Sequence, residues 1–146
     1  MTQRVGVVGI IPRGGKVLVL RRAAGESFLP GFVDLPGGGL EPGELPEDGV
    51  IREVREETGL TTSVVRILSV RPYTDGLGGN RPILIVFLLR LKDDQGQVRL
   101  SEEHDEYRWV ERSELDSVFR EGQHLQTSDP DLIRGIIQEY FESDSN

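Results

Sequence analysis

The chain has 146 residues, no cysteine and a net charge of −8. That length makes one domain with a proper core and excludes two substantial ones. The missing thiols exclude disulfides and thiolate chemistry, and the acidity argues against a nucleic-acid polymer as partner, because phosphate backbones demand a basic surface.

The amino-terminal MTQRVGVVGI lacks a signal peptide's basic region, long apolar run and small-residue cleavage site. The longest apolar run, Ile83 to Leu89, is far short of the ~20 residues a membrane helix needs. The expectation is a soluble, cytoplasmic protein with no membrane partner. Arg4 to Ile11 and Val17 to Arg22 read as β-rich runs joined by a hairpin over Pro12-Arg13-Gly14-Gly15-Lys16. Arg21 and Arg22 end the second run, one able to face solvent and the other able to reach a phosphate. Ala23 to Gly31 is a polar loop, and Phe32 to Leu35 reads as a short strand leading into Pro36-Gly37-Gly38-Gly39. That Pro-Gly-Gly-Gly reads as a tight turn whose carbonyls point outward and which lets the next helix approach closely. It is not a P-loop, since no Gly-Lys-Ser/Thr follows.

Pro46 suits a first helical position and Gly59 the left-handed residue that ends a helix, so a helix is expected from about Pro46 to Thr58. On it Glu53, Glu56 and Glu57 stand at i, i+3 and i+4, within one narrow sector, while Val50, Ile51, Val54 and Thr58 form an adjoining face. Like charges at these spacings each cost a few tenths of a kcal/mol, and acids in a last turn oppose the helix dipole by about 0.3 to 1 kcal/mol. A divalent cation would offset both. With no cysteine in the chain and no histidine nearby, three carboxylates offer hard oxygen ligands that suit Mg²⁺ or Mn²⁺ better than zinc or copper. The competing reading is a solvated acidic face with Arg52 paired to Glu56. Gly49 inside the helix costs roughly 0.5 to 1 kcal/mol and either admits close packing or is drift.

The spacing upstream decides between them. Gly38, five residues, Glu44, seven residues, Arg52-Glu53, aliphatic Val54, any residue, Glu56-Glu57, any residue, Gly59 and aliphatic Leu60 match the signature box of the Nudix (MutT-type) hydrolases, here 38–60, at every fixed position. Seven identities, each expected roughly one time in fifteen, leave no room for a chance match. The chain resembles that family over essentially its whole length, as a single domain over 1–146. The resemblance implies an α/β fold, a Nudix-type α/β/α sandwich with a mixed β-sheet between helices. It implies metal ligands at the Gly38 carbonyl, Glu53, Glu56 and Glu57, with Arg52 orienting the carboxylates and Glu44 supporting the loop. Val33 departs from the pattern, since many nucleoside-triphosphate members resemble one another in carrying Trp there.

Thr61 to Arg71 alternates towards β structure, with Val65, Ile67 and Ser69 on one face and Val64, Arg66 and Leu68 on the other. A glycine-rich loop follows from Pro72 to Asn80, then a central strand from Pro82 to Leu91, a turn at Asp93 to Gly96 and a short partner strand at Gln97 to Leu100. Ser101 to Val110, SEEHDEYRWV, is similar to a recurrent Nudix segment whose Glu supplies a further metal ligand or the base. That position falls on Glu103, with Glu106 in reserve. His104, a lone histidine amid acids, reads as exposed or hydrogen-bonded rather than chemical. Trp109 reads as core, although it or Tyr107 could lie near a nucleobase. Ser113 is the expected cap of a short helix to Phe119. A last helix starts near Ser128 or Asp129, with Leu132, Ile136, Ile137, Tyr140 and Phe141 along one face and residues 143–146 frayed.

The resemblance implies a Mg²⁺-dependent pyrophosphohydrolase, Mn²⁺ being the natural substitute, that cleaves a nucleoside diphosphate linked to another moiety. Nucleoside triphosphates, oxidised ones included, stand slightly ahead of ADP-ribose, nucleotide sugars and dinucleoside polyphosphates. Glu53 or Glu56 would serve as base, with Glu103 as the loop-borne alternative. A Nudix domain that only senses a nucleotide is the other reading, though sensors usually lose box glutamates and this chain keeps them. An isomerase would need a nucleophilic cysteine. A homodimer through an edge strand near the amino terminus is compatible with the sequence.

Overall fold

The computed structural model describes residues 3–26, 30–73, 82–120 and 131–144. β1 (Val5–Ile10), β2 (Pro12–Arg13) and β3 (Lys16–Arg22) realise the first two apolar runs and their hairpin. Gly14 and Gly15 at its tip have φ of 59° and 78°, a region that side chains with a Cβ rarely reach.

Two sheets form. In the first, β1 pairs in parallel with β7 (Ile83–Leu91) from Val5↔Ile83 to Ile10↔Leu88, and antiparallel with the three-residue β5 (Gly37–Gly39) on its other side. β6 (Thr62–Pro72) joins β7 antiparallel, giving the mixed order β5-β1-β7-β6. β1 is therefore interior, because both of its backbone edges are hydrogen-bonded. In the second sheet β3 is central, with β2 and β4 (Val33–Asp34) on one side and β8 (His104–Val110) on the other.

Side chains alternate across these strands into two apolar layers. Val7, Leu18, Leu20, Phe87 and Leu89 meet Val50 and Val54 of α1 (Pro46–Thr58). Val8, Ile10, Val17, Val19 and Val86 meet Phe119 of α2 (Leu115–Arg120) and Ile133, Ile136 and Ile137 of α3 (Leu132–Asp144). The result is a mixed α/β fold with strands between helices. Both faces of β1 and β7 are covered, which is why those strands, the exposed Arg90 near the end of β7 aside, are apolar rather than alternating.

Four expectations need correction. The simple alternation of β6 is broken by register shifts between Val64 and Arg66 and between Ile67 and Ser69, so Val64 packs in the layer under α1 and Leu68 in the layer under α2 and α3, not on one face as expected. Residues 97–100 are not a strand: the Arg99 N–H goes to the Thr58 carbonyl at 2.7 Å and the Ser101 N–H to the Glu57 carbonyl at 3.2 Å, so this segment closes the end of α1. Glu111, not Ser113, caps the next turn, a 3₁₀ helix over Arg112–Glu114, through a reciprocal pairing with Glu114. Helix α3 is still ordered at 143–144, with the Ser143 hydroxyl bonded to the Tyr140 carbonyl at 3.0 Å. The glycine-rich loop beyond Tyr73 and the start of the last helix before Asp131 lie outside the described residues.

Candidate active site

The Pro-Gly-Gly-Gly segment is an extended edge strand, and its glycines answer to close approach rather than to a turn. A Cβ on Gly37 would lie 2.0 Å from the Val7 carbonyl oxygen and one on Gly38 2.6 Å from the Glu53 carboxyl carbon. β5 can thus lie flat between β1 and the carboxylate edge of α1. The helix itself starts at Pro46 behind Leu45, which provides no side-chain cap, and stops at Gly59 with φ 74°. A Cβ on Gly49 would meet Leu40 at 2.3 Å, so this glycine admits close packing of the preceding loop.

Arg52 collects the loop, the strand and the helix on one guanidinium. Its Nε and Nη2 donate to the two Glu44 carboxylate oxygens at 2.7 and 2.9 Å, Nη1 to Glu53 at 3.0 Å and Glu56 at 3.2 Å, and Nη2 to the Gly39 carbonyl at 3.3 Å. This bidentate, shared arrangement is more than the exposed Arg52–Glu56 pair of the competing reading. The guanidinium holds the Glu44 carboxyl down at about 2, and the carboxylates, Glu44 first, hold Arg52 above its ordinary range.

Glu57 turns the other way, under β5. Only 4% exposed, it accepts the Gly37 N–H at 2.7 Å through one oxygen and sets the other 3.8 Å from His104 Nε2. Burial, then the neighbouring carboxylates Glu53, Asp34 and Glu103, push it up to about 9 against the pull of the Gly37 N–H. Burial also raises Glu53, partly offset by Arg52. The three acids of the helix therefore share a sector without sharing a partner: Glu53 and Glu56 sit on Arg52, and Glu57 joins Glu103 and His104, whose potential ligand atoms all lie within 4.8 Å of one another.

The fold brings in His104, which the sequence reading set aside as exposed or hydrogen-bonded, and Asp34, which it did not single out. His104 is 5% exposed rather than solvated, because β8 begins there against Arg22 of β3. The expectation of no nearby histidine is thereby corrected. Asp34, pushed up to about 6 by burial despite a hydrogen bond from the Leu35 N–H, adds to the negative field at Glu57. Its signal was legible as a lone acid inside the apolar run 32–35. That of His104 was not, since only the β3–β8 register buries it.

The two arginines of β3 separate. Arg22, 17% exposed at its side chain, acts electrostatically on Asp34 and His104, within the cluster. Arg21 lies half-exposed against Asp105 at 2.9 Å and Glu106 at 3.1 Å, so Arg21 and the reserve acid Glu106 occupy each other away from α1. Val33 is buried in the layer beneath α2 and α3, while Trp109 is only partly buried, with the Arg13 guanidinium 4.0 Å over its ring. The donor set at α1, carboxylate oxygens beside a glycine strand that leaves no room for a Cβ, fits a divalent cation.

Glu57 has a consequence for stability. The folded state keeps its proton up to about pH 9 whereas an unfolded glutamate loses it near 4.5. Across that window the unfolded chain binds fewer protons, so stability falls as pH rises, at up to about 1.4 kcal/mol per unit. Thermal unfolding in chelator should show Tm dropping steadily from pH 5 to 9; a flat profile would mean that Glu57 is not buried as described.

Comparison with known proteins agrees with this geometry. The family model described as NUDIX domain matches residues 2–130. The chain is 31% identical over 127 residues to the nucleoside triphosphatase NudI of Enterobacter sp. (strain 638), covering 81% of this chain and 89% of that protein. It is 31% identical over 122 residues to the nucleoside triphosphatase NudI of Escherichia coli O1:K1, covering 79% and 86%. Among solved structures it is similar to the MutT protein from Methanosarcina mazei Go1, with a TM-score of 0.73 and 29% identity over 99% of this chain and 96% of that one.

Proposed function

The chain belongs to the NUDIX family and is a pyrophosphohydrolase acting on phosphorus-containing anhydrides; from that premise we propose that it hydrolyses nucleoside triphosphates with Mg²⁺, or Mn²⁺ in its place. The observation that carries this is the Arg52 network, which gathers Glu53 and Glu56 with the Gly39 carbonyl of β5, while Glu57 accepts the Gly37 N–H of that strand and has Glu103 beside it. The choice of substrate leans on the curated relatives named as nucleoside triphosphatases.

When bound by the Gly38 carbonyl, Glu53, Glu56, Glu57 and Glu103, divalent ions would neutralise the diphosphate oxygens and make water easier to deprotonate. The protein's own groups supply the rest. Glu53, whose affinity for a proton is raised by burial, takes the proton of the attacking water. Arg52 positions Glu53 and Glu56 without touching the substrate. Arg22, at the cluster's rim, faces the phosphate chain. Tyr107 pairs with Leu20, two residues before Arg22 on β3, and with Trp109 lines a groove suited to the base.

A panel of nucleoside triphosphates, ADP-ribose, nucleotide sugars and dinucleoside polyphosphates, incubated with Mg²⁺ and followed for phosphate products, tests the proposal. Triphosphates should turn over fastest; tight binding with no product would favour a nucleotide sensor instead. Glu56→Gln should lower turnover by about 10²-fold or more with the fold intact, and a near-normal rate would remove Glu56 from the catalytic set.

A further inference from the structure

We propose that His104 is itself a ligand of the cation shared by Glu57 and Glu103, and that its imidazole biases this site towards Mn²⁺ over Mg²⁺. The inference rests on the reading that the box carboxylates hold divalent ions. It goes beyond that reading by adding a nitrogen donor from β8.

Three observations carry it. The imidazole is 5% exposed, and Nδ1 is buried with no hydrogen-bond partner, an arrangement that costs stability unless the ring has another use. Its Nε2 points at Glu57 from 3.8 Å, too far for a hydrogen bond, which needs about 2.7 to 3.2 Å. Two donors each about 2.1 Å from one ion stand at most about 4.2 Å apart, so the observed separation is a ligand-to-ligand spacing. Glu103, on the residue before His104, brings a carboxylate oxygen within 4.8 Å of the other two ligand atoms, and its side chain is exposed, so a small rotation closes the set onto one ion. With Nε2 on an ion, Nδ1 carries the ring proton and needs an acceptor; the Ser101 hydroxyl, three residues earlier, is likewise buried and without a partner.

A two-carboxylate, one-imidazole set differs from the all-oxygen set expected from α1 alone. Both ions take oxygen ligands readily, but Mg²⁺ is the harder ion and keeps its water, whereas Mn²⁺ stands at the start of the first-row transition series, whose affinity for nitrogen donors exceeds that of Mg²⁺. Nothing in this requires His104 to titrate or to touch the substrate.

Electron paramagnetic resonance on the whole protein with Mn²⁺ as probe tests the assignment. Electron spin-echo modulation of bound Mn²⁺ should contain a ¹⁴N component that is replaced by a ¹⁵N one when the chain's two histidines, His104 and His124, are ¹⁵N-labelled. In His104→Phe that component should vanish and the Mn²⁺ dissociation constant rise about tenfold or more, while Mg²⁺ binding changes less. Labelling in a His124→Gln background leaves His104 unchanged as the one labelled histidine, so it decides even if His104→Phe folds poorly. Bound Mn²⁺ without a histidine-nitrogen component overturns this inference and leaves the carboxylate site standing. No bound Mn²⁺ at all overturns both.

Discussion

Glu57→Gln is expected to make the protein more stable and nearly inactive at once. Glutamine keeps the shape and an oxygen for the Gly37 N–H, now 2.7 Å from Glu57, but has no carboxylate to protonate. At pH 8 the native chain holds Glu57 neutral, with its proton affinity pushed up to about 9, against an unfolded carboxyl that is ionised. The substitution removes that penalty, of order a few kcal/mol, so Tm in chelator should rise by about 3 °C or more. At pH 5 the two proteins should melt together. Turnover should fall by about 10²-fold or more, because a proposed cation ligand is lost, and added Mg²⁺ or Mn²⁺ should no longer raise Tm as is expected for the parent. A destabilised glutamine variant with full activity would overturn both halves.

Gly37→Ala is expected to be the most damaging added methyl group among the described glycines. The added carbon would sit 2.0 Å from the Val7 carbonyl oxygen and 2.7 Å from the Val8 Cα, both backbone atoms of interior strand β1. Neither can rotate away, so β5 must detach from β1 and take with it the N–H that Glu57 accepts. A loss of about 3 kcal/mol or more in chemical denaturation is expected. Gly39→Ala, where nothing lies within 4 Å of the new carbon, is the control and should cost little. Equal effects at the two positions would show that the strand is not packed as described.

The contrast between these two glycines marks what the sequence could and could not say. The helix was legible because its signals are local: Pro46, Gly59 and the valines four apart dictate start, stop and buried face. Arg52 and the glutamates were legible through their spacing in the box. The role of 37–39 was not, since nothing in three consecutive glycines distinguishes a turn from a strand pressed between a backbone and a carboxylate. Residues 97–100 misled for a related reason: their alternation suits a strand, but the Arg99 N–H, like that of Ser101 just beyond, is taken by an open carbonyl at the end of α1. His104 needed the pairing of β3 with β8, a contact across 82 positions from Arg22, before its burial could be seen.

The single guanidinium shared by Glu44, Glu53 and Glu56 has an evolutionary corollary. Three acids neutralised by one base cannot drift separately. Losing any one hands its portion of positive charge to the other two, so the effect of a second change depends on the first. Sequences that wander through this segment should therefore alter it in concert or leave it alone, and a box with one member missing is better regarded as a new electrostatic arrangement than as the old one less a residue.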